Sequence, residues 1–280
     1  MCLLVVAWQV HADYSLIVAG NRDEFHDRPA APLAWSPDWP DVAAGRDLQA
    51  GGTWLGVARD GRLGVVTNFR DPAQPSPAGA PSRGRLVPDY LLHEQSPAQF
   101  VSTLEPTANR YAGFNLLLAD RSSLVYASNR TPRSPRTLAP GIYGLSNGEL
   151  DEPWPKLVRT RERFTAAIGR ERPDTAELFA LLADRTSAIE PAMPGLPPDW
   201  QRAVSAPFVV HERYGTRCTT VVLIDREGCS VMHERRFDAS GDETGVSRLE
   251  FGSDLAARAT TSRPAARTPH GAPPFASSPE

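Results

Sequence analysis

"MCLLVVAW" (residues 1–8) and "AGNRDEFHDRP" (residues 19–29) decide the fold, because how the two stretches pair fixes what surrounds Cys2. The runs 2–10 and 14–21 are rich in β-branched and aliphatic residues, and only the polar His11-Ala12-Asp13 separates them. That pattern predicts an antiparallel hairpin. A hairpin brings the end of its second strand beside the start of its first. Arg22 and Asp23 are therefore expected next to Cys2.

The position of Cys2 gives that neighbourhood chemical meaning. An initiator methionine is normally trimmed when a small residue follows, and Cys2 would then open the mature chain. A terminal α-amine titrates near ~7.7–8.0 and a thiol near ~8.5, so one residue would hold a nucleophile and its base. A neighbouring arginine favours thiolate, and a carboxylate can orient the amine. The competing reading of the same residues is a buried core cysteine beside a structural Arg–Asp pair.

The rest of the chain continues in hairpins. "GGTWLGVARDGRLGVVTNF" (51–69) is a second one turning at "RDG", "FNLLLADRSSLVYASN" (114–129) a third, and "RCTTVVLIDREGCSVMHERRF" (217–237) the final one. "RPAAPLAWSPDWPD" (28–41) is expected as a proline-rich loop. "RLVPDYLLHEQ", "PAQFVSTLE" and "TAELFALLAD" have helical character. "PWPKLVRTRERFTAAI" (153–168) keeps near-helical apolar spacing. Strands, then helices, then strands favour an α+β class with mostly antiparallel sheets and disfavour a doubly wound parallel fold. One domain is expected over residues 1–251. The Ala/Pro/Arg-rich stretch 252–280 is expected to be a disordered tail, because it has almost nothing to bury.

Bulk composition excludes several classes. A net charge of −3 gives no pull toward nucleic acid. Three cysteines without CxxC spacing support neither a disulfide framework nor a metal site, and a cytoplasmic location is the expectation. No apolar run reaches membrane-spanning length. Lys156 is the only lysine, which we read as codon composition, with arginine carrying the other positive charges.

Several polar residues fall at the ends of expected strands. They are Asn68 after "GVVT", Asn147 after "GIYGLS" and Arg217 before "CTTVVLI". Asparagine amides can donate to a developing oxyanion, and asparagine is equally an ordinary turn residue.

Taken in order, "NRDEFHDRP", "AGRDLQAGGTWLGV", "TNFR", "SRGRLV", "GFNLLL", "LSN", "PWPK" and "YGTRCTTV" resemble the NRDE-motif family, also called the transport and Golgi organisation protein 2 family. The resemblance runs from Cys2 to about Phe237. It implies a four-layer αββα sandwich like that of the amino-terminal-nucleophile hydrolases. It also implies catalytic roles for Cys2, Arg22, Asp23, Asn68, Asn147 and Arg217, by analogy with the cysteine acylases. Arg22 and Asp23 are adjacent here, and neighbouring strand residues face opposite ways. One of the two is thus expected to leave the site unless strand geometry breaks. Asn21, Glu24, His26 and Trp54, within the same blocks, are the candidate ligand-binding residues.

Two function classes follow. One is an enzyme cleaving an amide or thioester of a small acyl substrate, with no cofactor required and no metal ligands. The other is a non-catalytic carrier whose ligand is haem or an acyl-CoA. The oligomeric state is not legible from the sequence.

Overall fold

Alternate residues of the first strand, β1 (Cys2–Trp8), serve two different cores. Leu4, Val6 and Trp8 belong to one apolar cluster, and Leu3, Val5 and Ala7 to another. A strand buried on both faces must lie inside a layered structure, and the remaining elements supply the layers.

The computed structural model describes residues 2–188 and 196–252. After β1 come β2 (Tyr14–Phe25), β3 (Ala30–Ser36), β4 (Trp39–Asp47), β5 (Leu55–Ala58) and β6 (Leu63–Asn68). Helices α1 (Leu86–Leu91) and α2 (Pro97–Leu104) follow, then β7 (Phe114–Ala119), β8 (Leu124–Ser128), β9 (Arg136–Thr137) and β10 (Gly141–Leu145). The chain continues through α3 (Pro155–Ile168), α4 (Thr175–Leu182) and α5 (Pro198–Val204). The last described elements are β11 (Tyr214–Asp225), β12 (Ser230–Phe237) and β13 (Glu243–Phe251).

The strands form two antiparallel sheets, ordered β10-β1-β2-β11-β12-β13 and β3-β4-β5-β6-β7-β8-β9. Leu4, Val6, Val18 and Val222 from the first sheet meet Leu55, Val57, Val65 and Leu117 from the second in a shared core. The opposite face of the first sheet packs Leu3, Val5 and Ile17 against Leu157 and Phe164 of α3 and Leu178 and Leu182 of α4. The opposite face of the second packs Leu116 and Leu118 against Val87 and Tyr90 of α1 and Phe100 of α2. This is the αββα sandwich.

Local signals agree with the layering. Pro155 occupies the first turn of α3, where no hydrogen-bonded N–H is needed. Ser96 and Gln99 close a reciprocal capping box at α2.

Two expectations are corrected. Residues 28–41 are not a loop: most of them lie in β3 and the start of β4. β3 is a sheet edge, and Pro32 sits in the register break between the pairs Ala31↔Arg46 and Ala34↔Ala44, where the ladder requires no donor. The hairpin at 217–237 is not the last strand pair, because β13 adds to β12 with alternating exposure on an edge. Its solvated face hides the apolar signal a buried strand would show. The expected tail lies outside the described residues from 253 onward.

Candidate active site

The β1–β2 register places Cys2 opposite Arg22, and the β2–β11 register places Arg22 opposite Cys218. Cys2 and Arg22 share the inter-sheet parity of Leu4 and Val18. Arg22 is 94% buried, and its guanidinium lies 4.5 Å over the ring of Trp54. Its Nη2 is 3.7 Å from Glu24, and its Nη1 is buried with no hydrogen-bond partner. Gly45 makes this stack possible, since a Cβ there would stand 2.5 Å from the Trp54 ring.

Asp23 has the opposite parity and turns toward the helical layer. Its Oδ1 accepts from the Thr216 hydroxyl at 2.7 Å, and its carbonyl accepts from the Tyr214 hydroxyl at 2.6 Å. β2 keeps its strand geometry through this point, while β11 takes up a register shift between Thr216 and Cys218. Both Arg22 and Asp23 nonetheless line the Cys2 cavity, because Cys2 begins β1 and is open to either face.

The nitrogen of Cys2 donates to Asn147 Oδ1 at 3.3 Å, and the Cys2 carbonyl accepts from Ser146 Oγ at 3.0 Å. Asn147 Nδ2 donates to the Asn68 carbonyl at 2.7 Å, tying β10 in the first sheet to β6 in the second. Burial pushes the Cys2 thiol up. The Asp23 carboxylate adds to this, while Arg22 and the Asp23 backbone N–H oppose it. Burial likewise raises the Asp23 carboxyl, against Lys156, Thr216 and Arg22.

Two adjoining cavities open here. A polar one of about 350 Å³ holds Cys2, Arg22, Asp23, Arg28, Asp47 and Trp54. A larger one of about 630 Å³ is walled by Phe25, Phe69, Trp200, Val204 and Tyr214, with Asn147 at its inner side. Glu24, Asn68 and Arg83 line both. The loop carrying Arg83 is held against the sheet by Thr53 N–H, which donates to Gly84 O at 2.9 Å. Gly52 permits that approach, since a Cβ would fall 2.5 Å from the Gly84 carbonyl.

Not every candidate converges. Asn21 faces the helices, where its Nδ2 donates to the carbonyls of Leu182 and Pro207 and its Oδ1 accepts from Thr219. Arg217 lies at the β11 register shift and donates to the His26 carbonyl at 2.9 Å, away from the walls of the Cys2 cavity. His26 engages His211 O through Nε2 at 2.9 Å, so the two form a brace under the 211–217 turn.

The profile of the family described as Transport and Golgi organisation 2 matches residues 1–239. The chain belongs to that family. A Bos taurus Transport and Golgi organization protein 2 homolog is 35% identical over 240 residues, covering 79% of this chain and 86% of that protein. The Homo sapiens homolog is 32% identical over 240 residues with the same coverage, and the Drosophila melanogaster protein 28% over 237 residues, covering 76% and 83%. Among solved structures, a Caenorhabditis elegans N-acylethanolamine-hydrolyzing acid amidase ortholog aligns with a TM-score of 0.41 at 12% identity, covering 79% and 92% of the two chains. A mutant conjugated bile acid hydrolase from Clostridium perfringens aligns at 0.47 and 9%, covering 89% and 92%.

In this Transport and Golgi organisation 2 chain the sequence reading passed over three residues at the site: Thr216, Arg83 and Lys156. Lys156 is 2% exposed and donates through Nζ to Val204 O at 2.9 Å. A solitary lysine in an arginine-rich chain was the available signal. Among the described residues no helix is long and apolar enough to cross a membrane, and no cluster of three or more metal-ligating side chains occurs.

Proposed function

We propose that this protein, once Met1 is removed, hydrolyses an amide or thioester that carries an apolar acyl group. The observation that carries the reading is the 3.3 Å contact of Cys2 N with Asn147 Oδ1. It fixes the atom that becomes the terminal amine beside its own thiol, at the junction of a polar and an apolar cavity. The raised thiol is mostly protonated at neutral pH, so attack requires a base, and the amine is the nearest one. The thiol proton passes to that amine as the sulfur bonds to the substrate carbonyl carbon and the carbonyl electron pair moves onto oxygen. The Asn68 side-chain amide and the unpartnered Arg22 Nη1 are the donors suited to that oxyanion. Collapse breaks the C–N or C–S bond, and the ammonium returns its proton to the leaving group. Water then cleaves the acyl-cysteine, with the amine again as base, and releases a carboxylic acid.

The aromatic walls of the larger cavity also suit a carrier for an acyl-CoA, in which the thiol is inert. Haem fits less well, because both ring nitrogens of His26 and of His211 are engaged in protein contacts. Intact mass and substrate panels separate these readings. The hydrolase reading expects loss of Met1, acyl adducts on Cys2 during turnover of N-acyl amides or acyl thioesters, and no turnover by Cys2→Ala. Turnover that survives Cys2→Ala overturns it. Ligand binding without turnover, unchanged by Cys2→Ala, establishes the carrier instead.

A further inference from the structure

The buried ammonium of Lys156 has no role in the proposed reaction, yet its position is hard to explain as packing. It enters from the first turn of α3, is shielded from solvent, and spends one of its three N–H donors on Val204 O at 2.9 Å. A lysine that served only to fill space would be better replaced by methionine or leucine, since burying a charge costs several kcal/mol unless it is compensated. Compensation lies across the layer. Asp23 faces the helices from β2 and is itself 98% buried. Val204, which receives the Lys156 ammonium, shares one apolar cluster with Tyr214, and the Tyr214 hydroxyl donates to the Asp23 carbonyl at 2.6 Å, so the two buried charges approach one cluster from α3 and from β2. Asp23 and Cys2 act on the ammonium, and Lys156, Thr216 and Arg22 are among the groups acting on Asp23.

We propose that Lys156 is a positioning residue for this site. Anchored on the last carbonyl of α5, its ammonium is the counter-charge that keeps the buried Asp23 side chain in place at the Cys2 cavity. The proposal rests on the Cys2 reading of the site and deepens it. It gives the carboxylate beside the nucleophile a fixed counter-charge from the helical layer, and it ties that charge to Val204, a wall of the apolar cavity. Occupancy of the cavity and the ionisation beside Cys2 are then linked through one side chain.

The sequence itself makes the test clean. Because the 280-residue chain has one lysine, ¹³Cε-lysine labelling of the untagged protein gives a single lysine resonance. The resonance should titrate in the alkaline range below the ordinary lysine value of about 10.4. It should also show a second, acid-range step as Asp23 takes up its proton. Asp23→Asn should abolish the acid step and move the alkaline step further down, because the attracting charge is gone. Thr216→Val removes a donor to the carboxylate and should move the acid step upward. It provides the readout if Asp23→Asn does not fold. A lysine titration that is unperturbed, or that is identical in the wild type and the folded variants, overturns the proposal.

The same samples keep this failure separate from failure of the hydrolase reading. Substrate adducts on Cys2 with a silent lysine refute only the role of Lys156. A coupled lysine in a protein whose turnover survives Cys2→Ala refutes only the nucleophile.

Discussion

Cys2 N donates to Asn147 Oδ1 across 3.3 Å, joining residues 145 positions apart in sequence. The contact exists because β10 pairs with β1 on the side opposite β2, with Leu4 against Leu145. Asn147 then leaves the strand and sends its amide nitrogen to the Asn68 carbonyl in the other sheet. One fully buried side chain thus positions the first residue and stitches the two sheets at the mouth of the cavity.

Asn147→Ala leaves the Asn68 carbonyl and the Cys2 nitrogen without these partners. Unmade bonds of this kind cost about 1–3 kcal/mol, so a lowered thermal midpoint is expected in calorimetry. The effect on Cys2 should be larger than the effect on the fold. Turnover should fall by about a hundredfold or more, the usual scale for a group that positions charge in an acyl-transfer site. Asn147→Ser, which can still accept a hydrogen bond, should recover part of the stability.

Gly45→Ala tests the Arg22–Trp54 stack without touching either residue. The new methyl meets the Trp54 ring at 2.5 Å, so the indole must move and the guanidinium loses its platform. A cost of about 1–3 kcal/mol is expected from overpacking. Alkylation of Cys2 by iodoacetamide should slow, because a displaced Arg22 no longer stabilises the thiolate. An unchanged rate in a folded variant would mean that Arg22 does not act on the thiol.

The raised carboxyl of Asp23 has a signed consequence for stability. Burial holds its value above that of the unfolded chain, so the folded protein keeps a proton that the unfolded chain has already released. Stability therefore falls as pH rises from about 3.9 to the raised native value, and stays lower above it. Asp23→Asn removes that loss. The melting temperature of the variant, relative to wild type, should climb as pH rises from about 4 through the raised native value. The absolute midpoint of the variant also carries the cost of a Lys156 ammonium without its counter-charge, so the pH slope is the readout.

The sandwich was legible in the sequence because its central strands carry strong, local signals. β1 and β2 are apolar runs joined by three polar residues, which read as a hairpin, and the structure adds that both are buried on two faces. α3 shows its helical spacing over four turns. β3 and β13 were not legible, for one shared reason: both are sheet edges, where proline is tolerated and one face stays wet. The site divides along the same line. Arg22 and Asp23 follow from the hairpin register, whereas the Asn147 contact depends on a long-range pairing. The apparent conflict between adjacent Arg22 and Asp23 dissolves because Cys2 sits at a strand end, reachable from both faces. No rule of alternation reveals that. Arg217 had the right type and chain order, but a register shift in β11 aims it at His26.

Trp200 gives the last prediction, which separates acyl-chain recognition from chemistry. Its ring sits 6.0 Å from Phe25, 5.6 Å from Tyr214 and 4.4 Å from His211, and it closes one side of the apolar cavity. α5, which carries it, is short and buries only Val204, so truncation at Trp200 should spare the layers that hold Cys2. Trp200→Ala removes apolar surface that a long acyl chain would cover. At about 25 cal/mol per Å² and some tens of Å² of contact, the loss is about 1–2 kcal/mol. KM for a long-chain substrate should therefore rise about tenfold, while kcat and the rate of Cys2 alkylation stay near wild type. A substrate with a two-carbon acyl group does not reach the aromatic wall and should be handled equally by both proteins. An equal loss on short and long substrates would place Trp200 in the support of the nucleophile. The larger cavity would then have no claim to the acyl chain.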